Sequence, residues 1–373
     1  MSVFIHIFIY SIVIASLLAF IIIFGDLPTF RNTPIHTLKQ SLVTLPTKST
    51  QWYNYINYHY FNNNLHIYLN WLVPIAYFGV ITFCTYLFFI NTYPGLSSSS
   101  SSSPLLWLDI YIYSSILLIY ISTLLSIFIT PGQINPTTYK LFKNNQLIFF
   151  DNKVCSTCMI IKPARSKHCS ICNKCYPLFD HHCIWINNCV GYKNYKWFLL
   201  YLISNINYLI TGAILTYYVI SNESNNWNKS YWQVIKNTTE ANRITGMFLI
   251  LCIIFSFITI SFTALHIRYI YLGVTTNELD KWSDIEHLVR IGVLYKSSIA
   301  LRGTQIYVEK AMNHETGKYV YLSLLDESIL IDSEENERIS NLVPIVSVEK
   351  DLINIYDNGF WNNLRERLAL HLW

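Results

Sequence analysis

Seven of the nine cysteines in this 373-residue chain fall within 35 residues, at Cys155, Cys158, Cys169, Cys172, Cys175, Cys183 and Cys189, with His168, His181 and His182 among them. Cys-x-x-Cys steps suit metal knuckles, and thiolate with imidazole is the ligand chemistry of tetrahedral zinc. A closed structural zinc takes four ligands and leaves no position open. Two such sites use eight of these ten side chains, and three would need twelve. One thiol and one imidazole are left over, and a thiol beside an imidazole is a nucleophile with its base. Cysteine, histidine and carboxylate crowd together at Asp180-His181-His182-Cys183, so the count points to cysteine acyl transfer there.

The elements that must hold this cluster belong to a membrane. The chain is 52% hydrophobic and 13% charged, against about 25% charged in soluble domains. Five apolar stretches, about Val3 to Phe24, Tyr68 to Ile90, Leu105 to Ile129, Trp197 to Ile220 and Thr245 to Ile267, are each near the length of a bilayer-spanning helix. The first reads as an anchor and not as a secretory signal, because it lacks a basic n-region and runs into Gly25-Asp26 without a small-x-small cleavage site. Cys84 and Cys252 lie inside spans and carry no expected role. A net charge of +4 without a long Lys/Arg block excludes a nucleic-acid partner.

Orientation follows from the loops, because basic loops stay in the cytosol. Residues 131–196 carry nine Lys and Arg, whereas the loop from Asn91 to Pro104 has none and holds a serine run, Ser97 to Ser103, that reads as flexible linker. The three N-x-Ser/Thr acceptors, Asn222, Asn228 and Asn237, fall between the fourth and fifth spans, which alternation places in the lumen. The cysteine cluster then faces a reducing cytosol, where a disulfide framework is not expected. The expected fold is an all-α integral membrane bundle of about five transmembrane helices with a small zinc-stabilised cysteine-rich cytosolic domain and a mixed cytosolic tail. Its parts are an anchor at 1–24, a cytosolic loop at 25–67, a transmembrane hairpin with a lumenal loop at 68–130, the cysteine-rich domain at 131–196, a second hairpin with a lumenal loop at 197–267, and the tail at 268–373. The N-terminus is expected in the lumen. In the tail, Thr304 to Met312 and Lys318 to Leu325 alternate around His314 to Gly317 and suggest a β-hairpin.

The run Cys155-x2-Cys158-x9-His168-Cys169-x2-Cys172-x2-Cys175-x4-Asp180-His181-His182-Cys183-x5-Cys189-x4-Asn194-x3-Phe198 resembles the cysteine-rich domain of the DHHC protein S-palmitoyltransferases at every spaced position. Companion motifs follow as Thr275-Thr276-Asn277-Glu278 and as Asn354-x-Tyr356-Asp357-x-Gly359-x3-Asn363. The wording Lys162-Pro-Ala-Arg-Ser-Lys-His-Cys169 and Ile184-Trp-Ile-Asn-Asn188 is closest to the fungal endoplasmic-reticulum members that modify SNAREs. Two departures concern local loops: Thr130-Pro131-Gly132 stands where Asp-Pro-Gly is usual, and Ile184 where Pro follows the reactive Cys.

The resemblance implies one zinc on Cys155, Cys158, His168 and Cys175 and a second on Cys169, Cys172, His182 and Cys189. It leaves Asp180, His181 and Cys183 for catalysis, with Thr276 bonding Asp180 and Asn363 in support. It further implies palmitoyl-CoA as acyl donor, juxtamembrane cysteines of membrane proteins, SNAREs first, as acceptors, and an endoplasmic-reticulum location with the active site at the cytosolic face of the lipid bilayer. A competing reading, a membrane-anchored zinc interaction module like a RING-type ligase or a scaffold, accounts for eight ligands. It leaves Cys183, His181 and the two downstream motifs unexplained.

Overall fold

The computed structural model describes residues 50–60, 65–97, 106–297, 306–313, 317–332 and 341–369. The expected anchor from Val3 to Phe24 lies outside them, as do serines 98–103 and the turn residues 314–316. The chain divides into two units, 1–72 and 73–373. In the first, a helix over residues 50–60 is followed by a second over Leu65–Asn70, and the Leu65 amide donates to Asn57 Oδ1 at 2.9 Å.

The second unit is built on α1 (Leu72–Asn91, in this unit from Val73), α2 (Leu106–Phe128), α3 (Tyr195–Trp227) and α4 (Glu240–Tyr271). Among the described residues these are the helices long and apolar enough to cross a membrane. Phe83, Leu117, Ile214 and Phe257 point outward and are exposed, while Ser115, Ser122, Thr123, Ser204, Thr216 and Thr263 are buried. That inversion is what lipid as solvent demands. Apolar faces gain nothing by hiding, so helices meet through small side chains and cross-helix hydrogen bonds of roughly 1 kcal/mol or less each. Tyr77 donates to Asn205 at 2.8 Å, Asn207 to Ser115 at 3.0 Å, and Thr85 shares a 2.9 Å bond with Tyr208.

The helices overrun the apolar stretches, and the segment between the last two is itself largely helical. α3 continues to Trp227 and stops at Asn228 in the left-handed conformation (φ 48°), a short helix spans Tyr231–Asn237 under a Ser230/Gln233 capping box, and Thr239 caps α4. Asn222 is thus helical, Asn228 is a cap and Asn237 ends a helix. Capping chemistry sets helix ends, and hydropathy does not register it.

Between α2 and α3 lie two antiparallel hairpins, β1 (Lys167–Cys169) with β2 (Lys174–Tyr176) and β3 (His181–Cys183) with β4 (Asn188–Val190). After α4, α5 (Thr276–Arg290) leads into a five-stranded antiparallel sheet, β5 (Leu294–Ser297), β6 (Tyr307–Met312), β7 (Tyr319–Ser323), β8 (Ile329–Asp332) and β9 (Leu342–Pro344), ordered β8-β7-β6-β5-β9. The alternation read around His314 to Gly317 corresponds to β6 and β7, paired from Val308↔Ser323 to Met312↔Tyr319. The chain then forms α6 (Phe360–Arg367). One core joins Ile148, Phe149, Ile285, Val289, Leu294 and Tyr356, tying the segment before the hairpins to α5, the sheet and the approach to α6. A second gathers Ile127, Cys183, Ile186, Val190, Tyr195, Phe198, Tyr201 and Ile270 where α2, α3 and α4 meet the β3–β4 hairpin.

Candidate active site

Strand alternation sorts the cysteine cluster. Successive side chains of a strand point to opposite faces. In β3, His182 therefore faces one way and its neighbours His181 and Cys183 the other. Register puts His182 opposite Cys189, and in the first hairpin His168 opposite Cys175. Cys155, Cys158, His168 and Cys175 form one set of four and Cys169, Cys172, His182 and Cys189 another, the ligand atoms of each lying within 4.8 Å of one another. His168 Nδ1 is 3.2 Å from Cys158 Sγ and 3.7 Å from Cys175 Sγ, and His182 Nδ1 is 3.4, 3.5 and 3.8 Å from Cys172, Cys189 and Cys169. With metal–sulfur bonds of about 2.3 Å, tetrahedral ligands stand roughly 3.5 Å apart, so both three-sulfur, one-nitrogen sets fit zinc.

The other face of β3 carries an acid–base cluster. His181 Nδ1 donates to Asp180 Oδ2 at 2.8 Å, which leaves Nε2 as the basic atom, buried and with no ordinary hydrogen bond. Burial disfavours the His181 imidazolium, but the bond to Asp180 and the adjacent Cys183 sulfur outweigh it and hold the pKa up at about 9. Asp180 is 1% exposed. Burial alone would raise its pKa, yet His181, Arg367 and His266 together bring it well below the usual carboxylate range. The Thr276 amide donates to Asp180 Oδ1 at 3.1 Å and its hydroxyl to Oδ2 at 2.8 Å. Thr276 is the first residue of α5, so the carboxylate sits against unused N–H groups and the positive end of a helix.

Asparagines fix the cluster to the ends of the spans. Cys183 pairs with Asn188 across the hairpin, and Asn188 Nδ2 donates to the carbonyls of Ser126, Ile127 and Ile129 at the C-terminal end of α2. Asn194, the N-cap of α3, donates to Ile129 and Cys189 carbonyls. The Pro131 carbonyl accepts from the Lys193 amide at 3.1 Å, so the loop with the departure at Thr130 is docked beside the same helix start. Cys183 is 7% exposed at this junction, while Ile184 and Trp185 beside it are exposed. Asn363 lies apart from Asp180. It donates to the Ile270 carbonyl and to Asp357, each at 2.9 Å, and holds α6 to the end of α4.

Three buried groups escaped the sequence reading. Arg165 pairs with Glu278 through Nε at 2.6 Å and Nη2 at 2.8 Å, also binds Glu366, and lies over the Phe142 and Tyr356 rings, 5.1 and 4.6 Å from their centres. Arg367 Nη1 reaches Asp180 Oδ1 at 3.3 Å. His266 of α4 shares a 3.3 Å bond with Tyr195 and lies 4.0 Å from Asp180. Asp180, His181 and His266 are spaced as a third cation site could be, but Arg367 already supplies the positive charge there.

A family model described as DHHC palmitoyltransferase matches residues 148–283. The chain is 54% identical over 358 residues to palmitoyltransferase SWF1 of Candida albicans, covering 95% of this chain and 97% of that one. It is 47% identical over 366 residues to palmitoyltransferase SWF1 of Debaryomyces hansenii, covering 96% of each, and 32% identical over 375 residues to palmitoyltransferase swf1 of Schizosaccharomyces pombe, covering 94% and 93%. With the family's spaced motif folded into two ligand sets and an acid–base face, and with relatives of this identity along nearly the whole chain, the protein belongs to the DHHC family of palmitoyltransferases.

Proposed function

We propose that the protein moves palmitate from palmitoyl-CoA onto its own Cys183 and from there to cysteines of membrane proteins near the cytosolic end of their transmembrane helices. The observation that carries this reading is the sorting within β3, where His182 joins a four-ligand set while His181 and Cys183 share the opposite face. Two zinc ions, one per set, would supply cross-links that hold the hairpins rigid, since metal binding in such short segments is folding energy.

The chain's own groups supply the chemistry. Asp180 fixes His181 with Nδ1 protonated, and Nε2 takes the Cys183 proton. A high His181 pKa lets that proton rest on the imidazole while the thiolate attacks the thioester carbonyl carbon. The carbon–sulfur bond to coenzyme A breaks, and the departing thiolate takes the proton back. In the second half-reaction an acceptor thiol gives its proton to His181 and attacks the acyl-enzyme, releasing Cys183. One thioester is exchanged for another, so no ATP is consumed.

A palmitoyl chain gains roughly 0.8 kcal/mol per buried CH2, so exposing it to water would cost on the order of 10 kcal/mol. Cys183 at the end of α2, beside Ile127, Phe198, Tyr201 and Ile270, offers the chain an apolar exit between helices. We further propose an endoplasmic-reticulum membrane location with the hairpins in the cytosol and the N-terminus in the lumen, from the charge of residues 131–196. SNAREs are the first acceptor class to try, from the sequence resemblance.

The test is to incubate purified protein with labelled palmitoyl-CoA. Label should attach to the protein, be released by neutral hydroxylamine, and vanish in Cys183→Ala. Label that survives hydroxylamine or persists in the variant rules the mechanism out.

A further inference from the structure

We propose that Arg367 is a positioning residue for acyl transfer, fixing the Asp180 carboxylate and through it the His181 ring, so that α6 belongs to the reaction apparatus. The inference rests on Cys183 being the acyl carrier and His181 its base. Arg367 ends α6 and is 2% exposed. Its Nη1 donates to Asp180 Oδ1 at 3.3 Å, its Nη2 donates to the Val274 carbonyl, and its guanidinium lies 5.1 Å from the centre of the Tyr195 ring.

The carboxylate is full. A carboxylate offers about four acceptor sites, and here Oδ1 takes the Thr276 amide and Arg367 while Oδ2 takes the Thr276 hydroxyl and His181 Nδ1. Each oxygen is committed, and the plane of the carboxylate is set by donors on three different segments. Without Arg367, Oδ1 keeps only the Thr276 amide. Rotation about Cβ–Cγ, a soft torsion, then releases Oδ2 from its alignment with the His181 ring.

Helix spacing shows how a remote residue reaches this point. Asn363 and Arg367 stand one turn apart on one face of α6, and the carbonyls they bind, Ile270 and Val274, are also four residues apart at and beyond the end of α4. Asn363 shows that a neutral amide suffices to bind a carbonyl there. A buried cation is costly unless it is matched, so an arginine one turn later answers a charge, and that charge is Asp180. The neighbouring Glu366 binds Arg165, which grips Glu278 in the first turn of α5. α6 thereby holds both the turn that carries Thr276 and the carboxylate that Thr276 binds.

Single-turnover acylation of the purified full-length protein with labelled palmitoyl-CoA tests this, with zinc content and melting temperature read on the same samples. Arg367→Met should form the acyl-enzyme on the order of 10–100-fold more slowly, with KM for palmitoyl-CoA and zinc content unchanged, as expected when orientation alone is lost. Arg367→Lys should recover part of the rate, since one donor can still reach Oδ1. In an Asp180→Asn background, Arg367→Met should add no further loss, because no charge remains to be held. Arg365→Ala, exposed on the same helix, should keep the wild-type rate. The proposal is overturned if Arg367→Met acylates at the wild-type rate, or if its loss multiplies with that of Asp180→Asn. Should Arg367→Met fail to fold, Arg367→Lys decides by the same comparison. Failure of the underlying reading looks different, because label would then persist in Cys183→Ala whatever residue stands at 367.

Discussion

The two faces of β3 are built by opposite strategies. The face of His182 draws its partners from Cys169, Cys172 and Cys189, all within 13 residues. His181, on the other face, bonds Asp180 just before the strand, and Asp180 draws its partners from Thr276 and Arg367, 96 and 187 residues away. Short loops can close a metal site because each ligand is preplaced by a hairpin. An acid–base site that must be dry and charge-matched needs whole helices brought against it. Damage to the first face should therefore appear as lost metal and lost folding, and damage to the second as lost chemistry or lost docking.

The largest effect should come from the metal face. His182→Ala or Cys189→Ala should lose about one zinc and melt far earlier, since such sites contribute on the order of 10 kcal/mol or more. Melting curves with parallel zinc analysis check this, and a variant with full metal content and a normal melt would erase the contrast between the faces.

A smaller loss should follow Arg165→Met, which leaves Glu278 buried without its partner and should cost about 3–5 kcal/mol. Arg165→Lys should not restore it, because a lysine cannot make the bidentate bond. Thermal unfolding should show this with zinc content preserved, and a melt within a degree of wild type would mean that the α5–α6 docking does not depend on this pair.

Next is pH. His181 has its folded pKa raised from 6.5 to about 9. Its stabilisation is complete below about pH 6.5 and is lost as pH rises through about 9, with the interval bounding the loss at about 3 kcal/mol. Asp180, depressed in the fold, contributes above its unfolded pKa of about 4, so it is already complete across that window. The difference in melting temperature between wild type and His181→Gln should shrink between pH 6.5 and 9. A difference that stays constant would show that the pair is not ionised as drawn.

The smallest effect should be Asn363→Ala, which removes three hydrogen bonds, to the Ile270 carbonyl, to Asp357 and from the Asn358 amide. It should cost about 1–3 kcal/mol and slow acylation only by loosening α6. Loss of zinc in this variant would contradict the separation of the two faces.

What the sequence made legible follows the same division. The count of Cys and His left one thiol and one imidazole over, and the family resemblance supplied the two ligand sets, whose members the hairpins bring within 4.8 Å of one another because hairpin chemistry is local. The four described spans were readable from apolar runs, but their ends were not. Asn228 and Thr239 set those ends by capping, beyond the reach of the apolar runs. Arg165, His266 and Arg367 were invisible because each is an ordinary residue type whose meaning comes from a partner on another element. Arg165 stood inside a quoted motif and Glu278 inside another, yet nothing in one-dimensional spacing pairs them. For Arg367 the available signal was its position one helical turn after Asn363, and without knowledge of which carbonyls face α6 that spacing has no content.

In the proposed mechanism the adjacent residues His182 and Cys183 do different work, one binding metal and the other carrying the acyl chain. Elemental analysis of purified Cys183→Ala tests it most directly. Two zinc ions per chain, the wild-type melt and no acyl transfer are expected. Loss of one zinc, as in Cys189→Ala, would make Cys183 a ligand and contradict it.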